Sequence, residues 1–157
     1  MKLKNFLKLV VSLVVCQLAG VVGSVFTVSQ IPIWYQTLNK PVLNPPAWVF
    51  GPVWAGLYLL MGIALYLIWQ SNSKDKKRAL WFFTIQLVLN AVWSPVFFGA
   101  HSIGSALVII VLMWMAIVMT IFIFSKVSKP AAALLVPYIL WVSFATYLNL
   151  ALWWLNK

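Results

Sequence analysis

Residues 34–50 read WYQTLNKPVLNPPAWVF, and this stretch lies between two long apolar runs. It is the only long polar interval in the chain and holds three of its eight prolines. Proline fixes φ and pushes the residue before it into extended geometry. Lys40-Pro41 and Asn44-Pro45-Pro46 therefore predict a stiff, non-helical cover rather than a slack connector. Trp34 and Tyr35 are placed to anchor its start, because amphipathic rings are stable at a membrane interface. Pro46 and Pro52 fall where the next helix begins, and a first helical turn tolerates proline.

Outward from this stretch the chain is apolar. Of 157 residues, 64% are hydrophobic and only 8% charged, against roughly a quarter charged in soluble domains. Five runs, 9–26, 47–69, 80–98, 103–124 and 131–155, come close to or exceed the about 20 residues that a spanning helix needs. They do not alternate as barrel strands do. The expected fold is all-α: one polytopic membrane domain over residues 1–157, a five-helix bundle with a long Pro-rich first loop. The start, MKLKNFLKLVV, imitates a signal peptide, but its apolar run is long and no small-x-small site follows. It is read as a retained first helix. With Cys16 the sole cysteine, no intrachain disulfide can form.

Net charge is +10, a value that invites a nucleic-acid reading. The basic residues instead sit in short connectors, where they set topology. Lys2, Lys4, Lys8, Lys74, Lys76, Lys77, Arg78, Lys126 and Lys129 fall on one side of the membrane; only Lys40 and Lys157 fall on the other. The expectation is a bacterial cell-membrane protein with its N-terminus in the cytoplasm and its C-terminus and Pro-rich cover outside. Membrane lipid, not nucleic acid, is its surrounding.

Within the runs, spacing marks faces. Ser12, Cys16, Gly20, Gly23 and Thr27 form a small-residue stripe that reads as close intramolecular packing rather than a dimer interface. Gln17 beside it needs a hydrogen bond inside the bundle. Gly51, Trp54, Tyr58 and Gly62 share a face of the second helix. Gln86, Asn90 and Ser94 repeat every fourth residue on the third, so this polar stripe faces protein or ligand rather than lipid. Trp93 and Phe97 flank it, and Pro95 should kink it. His101 reads as solvated in a turn. The fourth helix, almost wholly aliphatic, reads as the most lipid-exposed. On the fifth, Tyr138, Trp141, Ala145 and Asn149 share a face, and Pro137 should kink its start. No basic residue follows Tyr147 within five positions, so the proposed cholesterol pattern is not met.

Several chemistries are excluded. The one acidic residue, Asp75, rules out a carboxylate pair. There is no phosphate loop, no nucleophile elbow and no metal-ligand cluster. What remains is a bundle interior of aromatic faces and a few amides, suited to a flat, mostly apolar ligand.

WYQTLNKPVLNPPAWVF, VWAGLYLLMG, NAVWSPVFFG and VPYILWVSFATYLN together resemble the translocator protein family, also called tryptophan-rich sensory proteins and, in mammals, peripheral benzodiazepine receptors. The resemblance runs through all five spans. It implies a homodimeric bundle, with no required cofactor, that binds porphyrins such as protoporphyrin IX or haem, sterols, and isoquinoline-carboxamide ligands under the first loop. It also places family positions on Trp54, Tyr58, Asn90, Trp141 and Ala145. Sensor, carrier or transporter, and porphyrin-degrading enzyme with Trp54 and Trp141 as catalytic residues, all stay open. With the faces above, the candidate binding set is Trp34, Tyr35, Pro45, Trp54, Tyr58, Gln86, Asn90, Trp93, Ser94, Phe97, Tyr138, Trp141 and Ala145. A reporter enzyme that works only outside the cytoplasm, fused after Lys157, is expected to be active; activity only of a cytoplasmic reporter there would refute the orientation.

Overall fold

The apolar runs become helices, and the prolines decide where those helices bend. The computed structural model describes residues 3–157, so Lys2 of the charge count lies outside the described residues. Six α-helices follow in order: α1 Leu3–Gln30, α2 Ala47–Gln70, α3 Lys76–Ser94, α4 Ile103–Val127, α5 Lys129–Leu134 and α6 Val136–Leu155. The cover contributes one short 3-10 turn at Tyr35–Thr37. A π turn, Pro95–Gly99, continues α3, and α5 with α6 makes one span, giving five helices long and apolar enough to cross a membrane. The five-helix bundle is thus as the sequence foretold.

Both kinks sit beside the expected prolines. Pro95 has no N–H to give the preceding turn. The chain widens there, and Ala100 N reaches back five residues to Pro95 O at 2.9 Å. Ahead of Pro137 the helix breaks at Leu135, whose N–H bonds Ala132 O at 3.1 Å in a tighter turn. Ser128 starts α5 by accepting from the Ala131 N–H. At the head of α2, Pro46 takes extended geometry (ψ 141°), and Ala47 opens the helix.

The small-residue stripe of α1 is a packing surface, as its spacing suggested. A Cβ at Gly20 would stand 2.5 Å from the Tyr58 ring. Conversely, a Cβ at Gly62 would stand 2.9 Å from Leu13 Cα. Gln17 Nε2 donates to Ala55 O at 3.3 Å, a third tie between α1 and α2.

Two expectations are corrected. The fourth helix is not the most exposed: 39% of its apolar window is buried, against 22% in α1. Ala106, Ile110, Met113, Ile117, Thr120 and Phe124 form a buried stripe along α4, which packs between α3 and α6. Aliphatic character cannot separate the two cases, because lipid and protein interior are equally apolar. Tyr35, expected at the membrane interface, is instead only 8% exposed and packs with Phe97, Phe98, Ala106 and Leu152. The cover is therefore plugged into the bundle.

The two glycine environments give opposite forecasts. Gly62→Ala should lower stability by about 1–3 kcal/mol, because Leu13 backbone must move. A Cβ at Gly56 meets nothing within 4 Å, so Gly56→Ala should be neutral or stabilising by up to about 1 kcal/mol through helix propensity. Thermal unfolding in one detergent compares them.

Candidate functional site

Under the cover, α1, α2, α3 and α6 stand apart and enclose a cavity of about 450 Å³. The volume lies within the range of small-molecule pockets, roughly 300–1,000 Å³. Its wall is mostly apolar and aromatic. Val21, Ser24 and Val28 of α1 and Gly51 and Ala55 of α2 line the cavity and are also exposed on the outside. The cavity therefore opens between these two helices, beyond the Gln17–Ala55 tie.

Nine of the thirteen candidate binding residues lie on this wall: Tyr35, Trp54, Tyr58, Asn90, Trp93, Ser94, Phe97, Trp141 and Ala145. Trp54 stacks on Tyr58, with ring centroids 5.5 Å apart and planes at 27°. Phe50 meets Trp141 edge-on at 5.9 Å. The indole N–H of Trp141 is buried with no partner among the described residues. Trp93 is held by its N–H, which donates to Asn149 Oδ1 at 3.1 Å. Asn149 Nδ2 in turn donates to Ile103 O at 3.0 Å.

The other four stand elsewhere, each for a physical reason. Tyr138 is fully buried and Gln86 is 1% exposed; they sit behind the wall, not on it. Tyr58 donates to Asn90 Oδ1 at 2.5 Å, Asn90 Nδ2 donates to the Tyr138 hydroxyl at 3.0 Å, and Tyr138 donates to Gln86 Oε1 at 2.8 Å. The amide of Asn90 is therefore engaged at both ends. Trp34 and Pro45 are off the wall and belong to the cover.

That cover is fastened at several points. Trp34 stacks on His101, centroids 4.3 Å apart and planes at 12°. His101 lies exposed, as its turn position suggested, and its Nε2 is also 3.0 Å from Gln30 Oε1. It adopts φ 52°, a left-handed geometry in which histidine is enriched among non-glycine residues. Tyr35 donates to Asn44 Oδ1 at 2.6 Å. Burial pushes the Tyr35 phenol up from its ordinary range, which keeps the proton on the donor. Far along the chain, Asn156 accepts from Asn39 N at 2.9 Å and donates to Asn39 O at 3.0 Å, pinning the cover to the end of α6.

Residues beyond the candidate set complete the wall, among them Phe50, Phe98, Leu148, Asn149 and Leu152. Gly20, Gly23 and Thr27 of α1 also line it. Their small size was legible, but it serves both helix packing and open space.

A family model described as TspO/MBR matches residues 12–155. The chain belongs to the TspO/MBR family. It is 46% identical to tryptophan-rich protein TspO of Chlorobaculum tepidum, over 98% of both chains. The tryptophan-rich protein TspO of Archaeoglobus fulgidus is 41% identical over 97% of this chain and 99% of its own. The human translocator protein is 43% identical over 84% of this chain and 80% of its own. As a TspO/MBR protein with five spans, the chain is an integral membrane protein.

In this TspO/MBR bundle the Asn39–Asn156 pair carries a specific expectation. Asn156→Leu should speed hydrogen exchange of the Asn39 amide and its neighbours in residues 37–44, leaving the spans unchanged. Equal exchange in parent and variant would mean the pair does not hold the cover.

Proposed function

We propose that the protein binds a porphyrin or a similar flat apolar ligand in the cavity and serves as a membrane receptor or carrier with a sensory role. The observation that carries this reading is the aromatic wall itself. Trp54 and Trp141 both line one cavity with Tyr58, Trp93 and Phe97, and no charged side chain among the described residues lines it. Flat π-systems gain about 0.5–1.5 kcal/mol from offset stacking or edge contacts beyond area burial. Burying on the order of 400 Å² of ligand surface gives roughly 10 kcal/mol gross, and association costs about 4–15 kcal/mol. Micromolar affinity is the natural scale. Protoporphyrin IX, haem and isoquinoline-carboxamides fit this class. The printed names of the relatives, tryptophan-rich sensory protein and translocator protein, agree with a sensory or transport role.

The cover acts as the lid. Its fastenings to His101 and Asn156 hold it over the cavity while the opening between α1 and α2 leaves a side exit. The protein works in a bacterial cell membrane, N-terminus inside, as a homodimer.

A second reading is light-dependent breakdown of bound porphyrin. It is favoured by two oxidisable indoles, Trp54 and Trp141, on the same wall. Steady loss of porphyrin absorbance in light, abolished by Trp→Phe at either position, would select it over simple binding.

Titration of purified protein with protoporphyrin IX tests the binding reading. Trp54→Phe and Trp141→Phe should each weaken binding several-fold, and the alanine variants more. Parent-like binding by folded Trp54→Ala and Trp141→Ala proteins would place the ligand elsewhere and leave the aromatic faces as core.

A further inference from the structure

The hydrogen-bond chain Tyr58–Asn90–Tyr138–Gln86 is unequal at its two ends. At the deep end, Gln86 Oε1 accepts from Tyr138, but Gln86 Nε2 is buried with no partner among the described residues. At the other end, Tyr58 and Asn90 lie on the cavity wall. Each phenol owns a single proton, so the direction of one bond dictates the next. Tyr138 gives its proton to Gln86 at 2.8 Å and must accept from Asn90 Nδ2 at 3.0 Å. Asn90 Oδ1 then faces Tyr58, which spends its proton inward at 2.5 Å. Toward the cavity, the Tyr58 oxygen is left with lone pairs: it can only accept.

The same four groups support the opposite direction. An amide oxygen and an amide nitrogen are nearly the same size, so rotating both amides by half a turn exchanges acceptor for donor. Gln86 Nε2 then donates to Tyr138, Tyr138 to Asn90 Oδ1, and Asn90 Nδ2 to Tyr58. Three bonds join the chain in either direction. What moves is the donor without a partner. In one direction neither N–H of Gln86 Nε2 is paired; in the other one of them bonds Tyr138, and the Tyr58 hydroxyl is left free where a ligand can meet it. A buried donor left unpaired is costly, so a ligand acceptor at Tyr58 draws the chain into reverse.

We infer that the cavity floor is a reversible hydrogen-bond reader, in which Tyr58 accepts from a ligand N–H or donates to a ligand carbonyl. Gln86 is the positioning residue that keeps the accepting state available. The inference rests on the binding reading above and specifies which ligand groups the floor takes. Without the Gln86 acceptor, Tyr138 has only the sulfur of Met113, 3.6 Å away, or Asn90 to receive its proton. Asn90 is the stronger acceptor, and choosing it fixes Tyr58 as a donor.

Three flat tricyclic probes of nearly equal size separate the possibilities: carbazole with an N–H, fluorenone with a carbonyl, and fluorene with neither. Their dissociation constants are measured on the full chain in detergent. Tyr58→Phe should weaken carbazole and fluorenone about three- to tenfold and leave fluorene unchanged. Gln86→Met should weaken carbazole by a similar factor and spare fluorenone. Equal shifts of all three probes in Gln86→Met, or an unchanged carbazole affinity, would overturn the role of Gln86. Should Gln86→Met fail to fold, a Tyr58→Phe protein that binds both polar probes as the parent does overturns the reader. If the parent binds none of the three, the binding reading fails with it. Binding of all three without the polar contrast defeats only the present inference.

Discussion

Within hydrocarbon there is no water to complete a hydrogen bond, so each polar group in a span must find its partner inside the protein. In this chain that constraint converges on Asn90. Its amide accepts from Tyr58 of α2 and donates to Tyr138 of α6 while itself belonging to α3. Three spans are thereby set in rotation about their own axes by one side chain. The aromatic wall follows from that setting. With the hydroxyl of Tyr58 turned to Asn90, its ring lies against Trp54 on one side and leaves room only for glycine at position 20 on the other. A bundle fastened at this depth can afford to splay above it, and the cavity occupies the splay.

The elements that bound the cavity were readable in unequal degree. Span number and the positions of both kinks were legible, because length, hydropathy and proline act locally. The stripe Gln86, Asn90, Ser94 was legible as a face that avoids lipid. Its division was not: Asn90 and Ser94 meet the cavity while Gln86 lies buried behind it. That division depends on how far α6 approaches, which no property of α3 encodes. The face of α4 was misread for a related reason. In water a buried stripe contrasts with polar neighbours, whereas in lipid both faces are aliphatic and the contrast vanishes.

The cover shows a further limit. Its prolines announced stiffness, and the structure has a short 3-10 turn at Tyr35–Thr37 and a second turn closed by Asn44 N on Pro41 O at 3.0 Å. What fastens it, however, comes from distant positions. His101 and Asn156 lie 67 and 117 residues from their partners Trp34 and Asn39. Neither carries a local signal beyond being polar near a helix end, and each meets a partner held on a distant element of the bundle.

The opening between α1 and α2 faces the plane of the bilayer, and this alters what concentration means for the cavity. An apolar solute partitions into lipid before it reaches Val21 or Gly51. The quantity that fills the cavity is then its mole fraction in the membrane, not its amount in water. Two solutes of equal intrinsic fit would load the protein in the ratio of their partition coefficients. Dilution with empty vesicles would strip a bound solute even at constant total volume, because the lipid itself competes as solvent.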